Sequence, residues 1–221
     1  MASHQPHTHT NGRSAARTRE RREREHLERR REILTAAREV FARRGYRDAT
    51  LDEIAEKAAY AKGTLYNYFR SKEDLFQHIM DILLEDMRLV AVSVRKERGT
   101  SREKFHLFAC GMMDYYKANE DFLRIATMDM NRLQFEEEDR LRTILLRIRK
   151  IAGILGHTLE EDMHSRRVVT ENPIELAQVF IALILNRSMR RSIEPGGLQA
   201  MNTRKDADFL TRLFFDGIAR S

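Results

Sequence analysis

KGTLYNYF, residues 62–69, sets a glycine beside a lysine and follows them with two tyrosines and an asparagine. Leu65 and Phe69 stand four apart, so a short helix here would turn those two inward. Lys62, Gly63, Thr64, Tyr66, Asn67 and Tyr68 are then left largely outward. A helix this small and wet gains little from burial, so its unusual residues call for something to touch.

The flanks give that helix a setting. Thr50-x-x-Glu53 is a capping-box pattern and opens a helix whose inner face is Ile54, Ala55 and Ala58. A break follows over Ala59–Ala61. Ser71-x-x-Asp74 then caps a longer helix, expected to run to about Glu97 through Leu75, Phe76, Ile79, Leu83 and Leu89 or Val90. Two short helices joined by a turn of about three residues, the second exposed and polar, describe a helix-turn-helix. Such a unit lays its second helix in the DNA major groove. Each odd residue then has a task. Gly63 permits close approach of backbone to phosphate. Lys62 and Lys72 neutralise phosphates. Thr64 and Asn67 offer hydrogen bonds to bases, and Tyr66 and Tyr68 a ring and a hydroxyl. On the pattern alone, a helical hairpin whose polar face merely meets water remains the alternative.

Upstream, RTRERREREHLERRREILTAAREVFARRG (17–45) is rich in Arg/Glu pairs at three- and four-residue spacing. Ile33, Leu34, Ala37, Val40 and Phe41 form one helix face, and Gly45 is expected to stop it. The polar first half is expected as a projecting helix or a frayed arm. Residues 1–12 are polar and expected to be disordered; His4, His7 and His9 belong to that terminus rather than to a metal site.

Charge follows the same division. The chain carries 40 Lys and Arg against 34 Asp and Glu. Residues 1–72 hold 17 of those bases and 10 of the acids, net +7, whereas residues 73–221 are net −1. A basic end on a near-neutral body suits a polyanion such as nucleic acid, although a solvated charged tail would show the same excess.

Residues 33–80 resemble the DNA-binding domain of the tetracycline-repressor (TetR) family. ILTAAREVFARRGY, ATLDEIAEKA and KGTLYNYFRSKEDLF carry the resemblance, in that order and spacing. It implies an all-α homodimer of nine or so helices whose three N-terminal helices bind a palindromic double-stranded operator. The remainder agrees with the family only in length and helical character. By similarity Thr50, Lys62, Gly63, Thr64, Tyr66, Asn67, Tyr68 and Lys72 fall where that family commonly meets DNA. Leu65 and Phe69 match its small core. The turn departs from the family: Ala59-Tyr60-Ala61 stands where the usual pattern resembles Gly-Val-Ser. Alanine in a left-handed conformation costs on the order of 1 kcal/mol relative to glycine. Loss of a serine cap ahead of Lys62 costs roughly another 1 kcal/mol. Tyr60 is expected to contact the DNA backbone or pack over the motif.

The division expected is a basic arm over 1–28, a helix-turn-helix domain over 29–72, and an effector-binding and dimerisation domain over 73–221. Further helices are expected near 101–118, 120–130, 136–164, 173–191 and 202–219. Asn172-Pro173 with Glu175 is a start signal, and Pro195-Gly196-Gly197 a loop. IELAQVFIALIL (174–185) is apolar almost all round, and so buried on more than one side. With the last helix it suggests a four-helix dimer interface through Phe180, Ile181, Ile184, Leu210, Leu213, Phe214 and Gly217. A purely internal core pair is the alternative.

The resemblance further implies an effector pocket. Candidate linings are Cys110, Met112, Met113, Tyr116, Phe122, Ile125, Met128 and Met130, an adaptable apolar set that plain core packing explains equally. An apolar, aromatic or acyl-bearing ligand would suit it. His157, Glu161 and His164 share a face at metal-ligand spacing, but a solvated polar face explains them better, and neither metal nor cofactor is expected. Phosphate-cradling glycine loops, HExxH and GxSxG are absent, so no enzyme is expected. The longest apolar run, VFIALIL (179–185), is too short for a bilayer. With a single cysteine and no apolar leader, a cytoplasmic, reducing setting is expected. The sequence thus points to a dimeric DNA-binding regulator, most simply a repressor released by a small apolar effector. A ligand-independent DNA-binding protein of the same fold is the alternative, and a small-molecule binder that lost its DNA a remoter one.

Overall fold

The computed structural model describes residues 10–127, 138–164 and 171–218, apart from the side chains of 10–15, 138–140, 161 and 218. The described residues are helical, without strands. In chain order the helices are α1 (Thr10–Asp48), α2 (Leu51–Lys57), α3 (Lys62–Tyr66), α4 (Lys72–Lys96), α5 (Ser101–Ala118), α6 (residues 120–127), α7 (Glu138–His164), α8 (Pro173–Ile193) and α9 (Thr203–Ile218). A 3-10 turn, Gly197–Ala200, precedes α9.

The helices begin where their capping residues place them. Thr50 and Thr100 each form a complete capping box, with Glu53 and Glu103. The Ser71 hydroxyl accepts from the Asp74 amide at 3.1 Å, and Asn172 accepts from the amides of Ile174 and Glu175 ahead of Pro173. At Gly45 φ is +74°, which breaks the long first helix where a stop is expected; one further turn follows to Asp48. The first helix begins earlier than its sequence suggests, at Thr10, because Arg/Glu pairs such as Arg19–Glu23 (3.1 Å) and Arg21–Glu25 (3.3 Å) support it without burial.

Two aromatic clusters hold the helices together. In the N-terminal part Phe41 of α1 is fully buried, edge-on to Phe76 of α4 at 5.6 Å, and Tyr46 closes on Phe76 at 5.0 Å. In the larger part Phe105 of α5 meets Phe180 of α8 at 4.9 Å and Phe214 and Phe215 of α9 at 5.6 and 5.4 Å. Such pairs add about 0.5–1.5 kcal/mol each beyond area burial. One continuous core joins both parts through Ile79, Met80, Leu83, Leu84 and Met87 of α4. Arg38 of α1 bridges the junction too. It pairs with Asp121 and lies 4.7 Å over the Phe122 ring. None of the described helices is long and apolar enough to cross a membrane.

Candidate nucleic-acid interface

The short helix α3 is anchored by Leu65 and by Phe69 just beyond it, both buried. Around that anchor Lys62, Gly63, Tyr66 and Asn67 are exposed, while Thr64 and Tyr68 are half-buried. A Cβ built on Gly63 meets no atom within 4 Å. Nothing in the protein therefore requires glycine there, and the bare backbone is open only to solvent or a ligand. The Lys62 ammonium reaches Asp52 at 2.9 Å, which ties the start of α3 to the first turn of α2. That hydrogen bond and charge hold its pKa above the usual lysine value.

The turn carries the predicted strain. Ala59 adopts φ +59°, the only non-glycine with positive φ among the described residues. Its amide bonds the Glu56 carbonyl at 3.1 Å and the Tyr60 amide bonds that of Ala55 at 2.9 Å. This is a Schellman closure, which ordinarily uses glycine at the left-handed position. Ala61 heads α3 with extended backbone and no side-chain cap. The Tyr60 hydroxyl donates to Glu32 on α1, and its ring packs against the core, so the tyrosine braces the turn. Ala61→Ser should supply the missing cap. The expected gain is about 0.5–2 kcal/mol, read as a rise of roughly 2–4 °C per kcal/mol in the thermal midpoint. An unchanged midpoint would show the amides at the start of α3 to be satisfied by water.

Two expected contact residues have structural duties. The Thr50 hydroxyl accepts from the Glu53 amide at 3.2 Å, although it stays exposed at the start of α2. The Lys72 ammonium donates to the carbonyls of Ala49 (2.8 Å) and Arg47 (3.0 Å) and lies 4.6 Å over the Tyr46 ring. It caps the end of α1, a place where a cation meets the helix dipole favourably. Sequence reasoning gave this lysine to phosphate alone, because Arg47, Ala49 and Tyr46 are not at helical spacing from it.

The remaining candidates are less exposed than the sequence suggests. Met112, Met113, Tyr116, Phe122 and Ile125 are each at most 2% exposed and sit in the core; Cys110 is half-buried. Burial, with Asp114 and Asp208 nearby, pushes the Cys110 thiol up, so it is a poor nucleophile. Met128 and Met130 lie outside the described residues, as does the Glu161 side chain; His157 pairs with Glu160 at 2.8 Å. Among the described residues no group of three potential ligands is placed for a metal ion. Of the residues chosen for a dimer face, Phe180, Ile181, Ile184, Leu210 and Phe214 are buried within the protomer, and only Leu213 and Gly217 are exposed. The exposed apolar side chains of α8 and α9 are instead Val179, Met189, Ile193, Phe209 and Leu213. Periodicity could not choose between these two faces, since α8 is apolar nearly all round.

An exposed polar helix seated on a second short helix, beneath a basic N-terminal segment, defines a helix-turn-helix DNA-binding protein. The model of bacterial regulatory proteins of the tetR family matches residues 33–79, the segment that spans this unit. The chain belongs to the TetR family of transcriptional regulators. Two Bacillus subtilis relatives extend the likeness. An uncharacterised helix-turn-helix regulator, YhgD, is 25% identical over 72% of this chain and 84% of its own length. A fatty acid metabolism regulator protein is 27% identical over 68% of this chain and 76% of its own. The solved structure of FadR from Bacillus subtilis in complex with stearoyl-CoA shares the fold. Its TM-score is 0.71 at 21% identity, over 85% of this chain and 98% of that one.

Proposed function

We propose that the chain is a homodimeric repressor that releases a palindromic operator when a long-chain acyl ligand enters the larger domain. The exposed α3 with its unobstructed Gly63 carries the DNA part of this reading. Lys62, Thr64, Tyr66, Asn67 and Tyr68 would meet bases and phosphates there, with Thr50 and Tyr60 at the rim; Lys72 would contribute mainly by holding α1 in place. The two recognition helices of a dimer would lie roughly 34–36 Å apart. The likeness to a fatty acid metabolism regulator supports the acyl ligand, and the Met- and aromatic-rich interior about α5 and α6 suits an alkyl chain. The proposed units remain the arm (1–28), the helix-turn-helix domain (29–72) and the effector and dimerisation domain (73–221).

The test is selection of a site from random duplex DNA, followed by titration of the complex with palmitoyl-CoA, free palmitate and CoA alone. Release by palmitoyl-CoA only, with operator affinity falling about 5–150-fold, supports an acyl-CoA-gated repressor. Binding that ignores all three supports the ligand-independent alternative.

For the dimer, α8 and α9 would pair through Val179, Met189, Ile193, Phe209 and Leu213. Leu213→Glu is expected to leave the protomer folded, because that side chain is 55% exposed, and to convert dimer to monomer in analytical ultracentrifugation. An unchanged mass would place the interface elsewhere.

A further inference from the structure

We infer that the helical N-terminal extension of α1 is a second DNA-contacting element that lies on the duplex flanking each half-site. This rests on the DNA-binding reading of α3 and extends it. Three observations carry it.

First, α1 runs unbroken from Thr10 to Gly45, yet every described side chain from Ala16 to Arg29 is exposed. At 1.5 Å per residue the stretch from Ala16 to Arg29 spans about 21 Å, or some six base pairs of B-DNA.

Second, the extension is joined to the recognition element itself. The His26 ring stacks on Tyr68 at 4.5 Å with 25° between planes, and Arg30 lies 5.2 Å over the Phe69 ring. The side of α1 that carries His26 is thus the side of the exposed α3 face, and the helix is held there by packing on both aromatic residues.

Third, its charges are sorted by face. Residues 19, 22, 26, 29 and 30 fall on the His26 side at three- and four-residue spacing, and four of them are arginine. The glutamates lie to the flanks and rear. Glu25 is taken by Arg21 at 3.3 Å and Glu20 by Arg24 at 4.0 Å, both of them rear arginines, while Glu23 at the edge pairs with Arg19. Among the described residues no carboxylate lies within ion-pair distance of Arg22 or Arg29. A helix built only for solubility would not segregate its acids away from the side facing the recognition helix. Phosphates on that side explain the sorting.

The experiment compares two duplexes, one ending at the edges of the site selected by the full chain and one with ten further base pairs on each side. Binding is measured by fluorescence anisotropy from 50 to 300 mM salt. Arg19→Gln/Arg22→Gln/Arg29→Gln removes charge from the facing side while keeping good helix formers; Arg17→Gln/Arg21→Gln/Arg24→Gln removes the same charge from the rear. The facing variant is expected to reduce the salt slope on the long duplex by roughly three units per protomer. It should leave the short duplex nearly unchanged, with the rear variant close to wild type on both. Equal losses in the two variants, or none in either, would overturn the inference. Failure of the wild-type chain to bind even the short duplex would instead overturn the reading of α3, a separate result.

Discussion

Gly63→Ala is expected to make the protein more stable and a worse DNA binder at the same time. In a helix, alanine is favoured over glycine by roughly 0.5–1 kcal/mol, and a methyl group at this position meets no atom within 4 Å. The folded chain therefore gains. A phosphate drawn against the bare backbone would be pushed away by the same methyl. Operator affinity should fall on the order of 10- to 100-fold, about 1.4–2.8 kcal/mol. Thermal denaturation and anisotropy on the same preparation read the two effects. Opposite signs are the signature of a glycine kept for a ligand. A rise in stability with affinity unchanged would mean that DNA does not approach the start of α3.

Asp206→Ala is expected to cost about 3–5 kcal/mol, because it leaves charge uncompensated against the core. Asp206 is 1% exposed on α9, and it receives Arg187 Nε at 2.7 Å and Arg191 Nη2 at 2.9 Å from α8. Burial alone would push its carboxyl up. The hydrogen bonds from Arg191 and Arg187, reinforced by their charges, prevail and hold it below the usual aspartate value. A carboxylate depressed in the fold stabilises at pH values above its unfolded pKa, near 3.9. That stabilisation is lost as pH falls through this value toward the lower folded one. Denaturant unfolding at pH 7 should therefore separate wild type from the variant by several kcal/mol, and the gap should narrow below pH 4. Equal stability at pH 7, or a gap that widens in acid, would show the triad to be without net effect. Because α8 and α9 are the helices proposed to pair between protomers, the variant should weaken the dimer as well.

What the sequence made legible was local. Capping chemistry placed α2, α4 and α8 within a few residues, because Thr50, Ser71 and Asn172 each satisfy the amides of their own first turn. The left-handed Ala59 was legible through the family resemblance, since glycine is the usual residue at that place in the turn. What was not legible joins distant parts of the chain. Arg187 and Arg191 are visibly one turn apart, but nothing in their spacing names Asp206 as partner. Tyr60 with Glu32, and Arg38 with Asp121, are likewise products of helix packing. Which side of α8 would meet a partner subunit was not legible, for a physical reason. A helix that is apolar all round shows that several sides are covered without telling which cover belongs to the protomer, and here Phe180, Ile181 and Ile184 fill its own core.

The Lys72 anchor makes α4 a lever of very unequal arms. Its first residue is pinned to the carbonyls that end α1, and α4 runs on from it to Lys96, an arm of about 36 Å. A swing of about 3 Å at the Lys96 end is then a rotation of only some 5° about that pivot, and a point about 10 Å from the pivot on the DNA-binding side moves by less than about 1 Å. The gearing trades distance for force. Broad, soft displacements in the larger domain, such as the proposed ligand would cause, would arrive at α3 as small, stiff ones, on the scale at which a hydrogen bond to a base edge is made or broken.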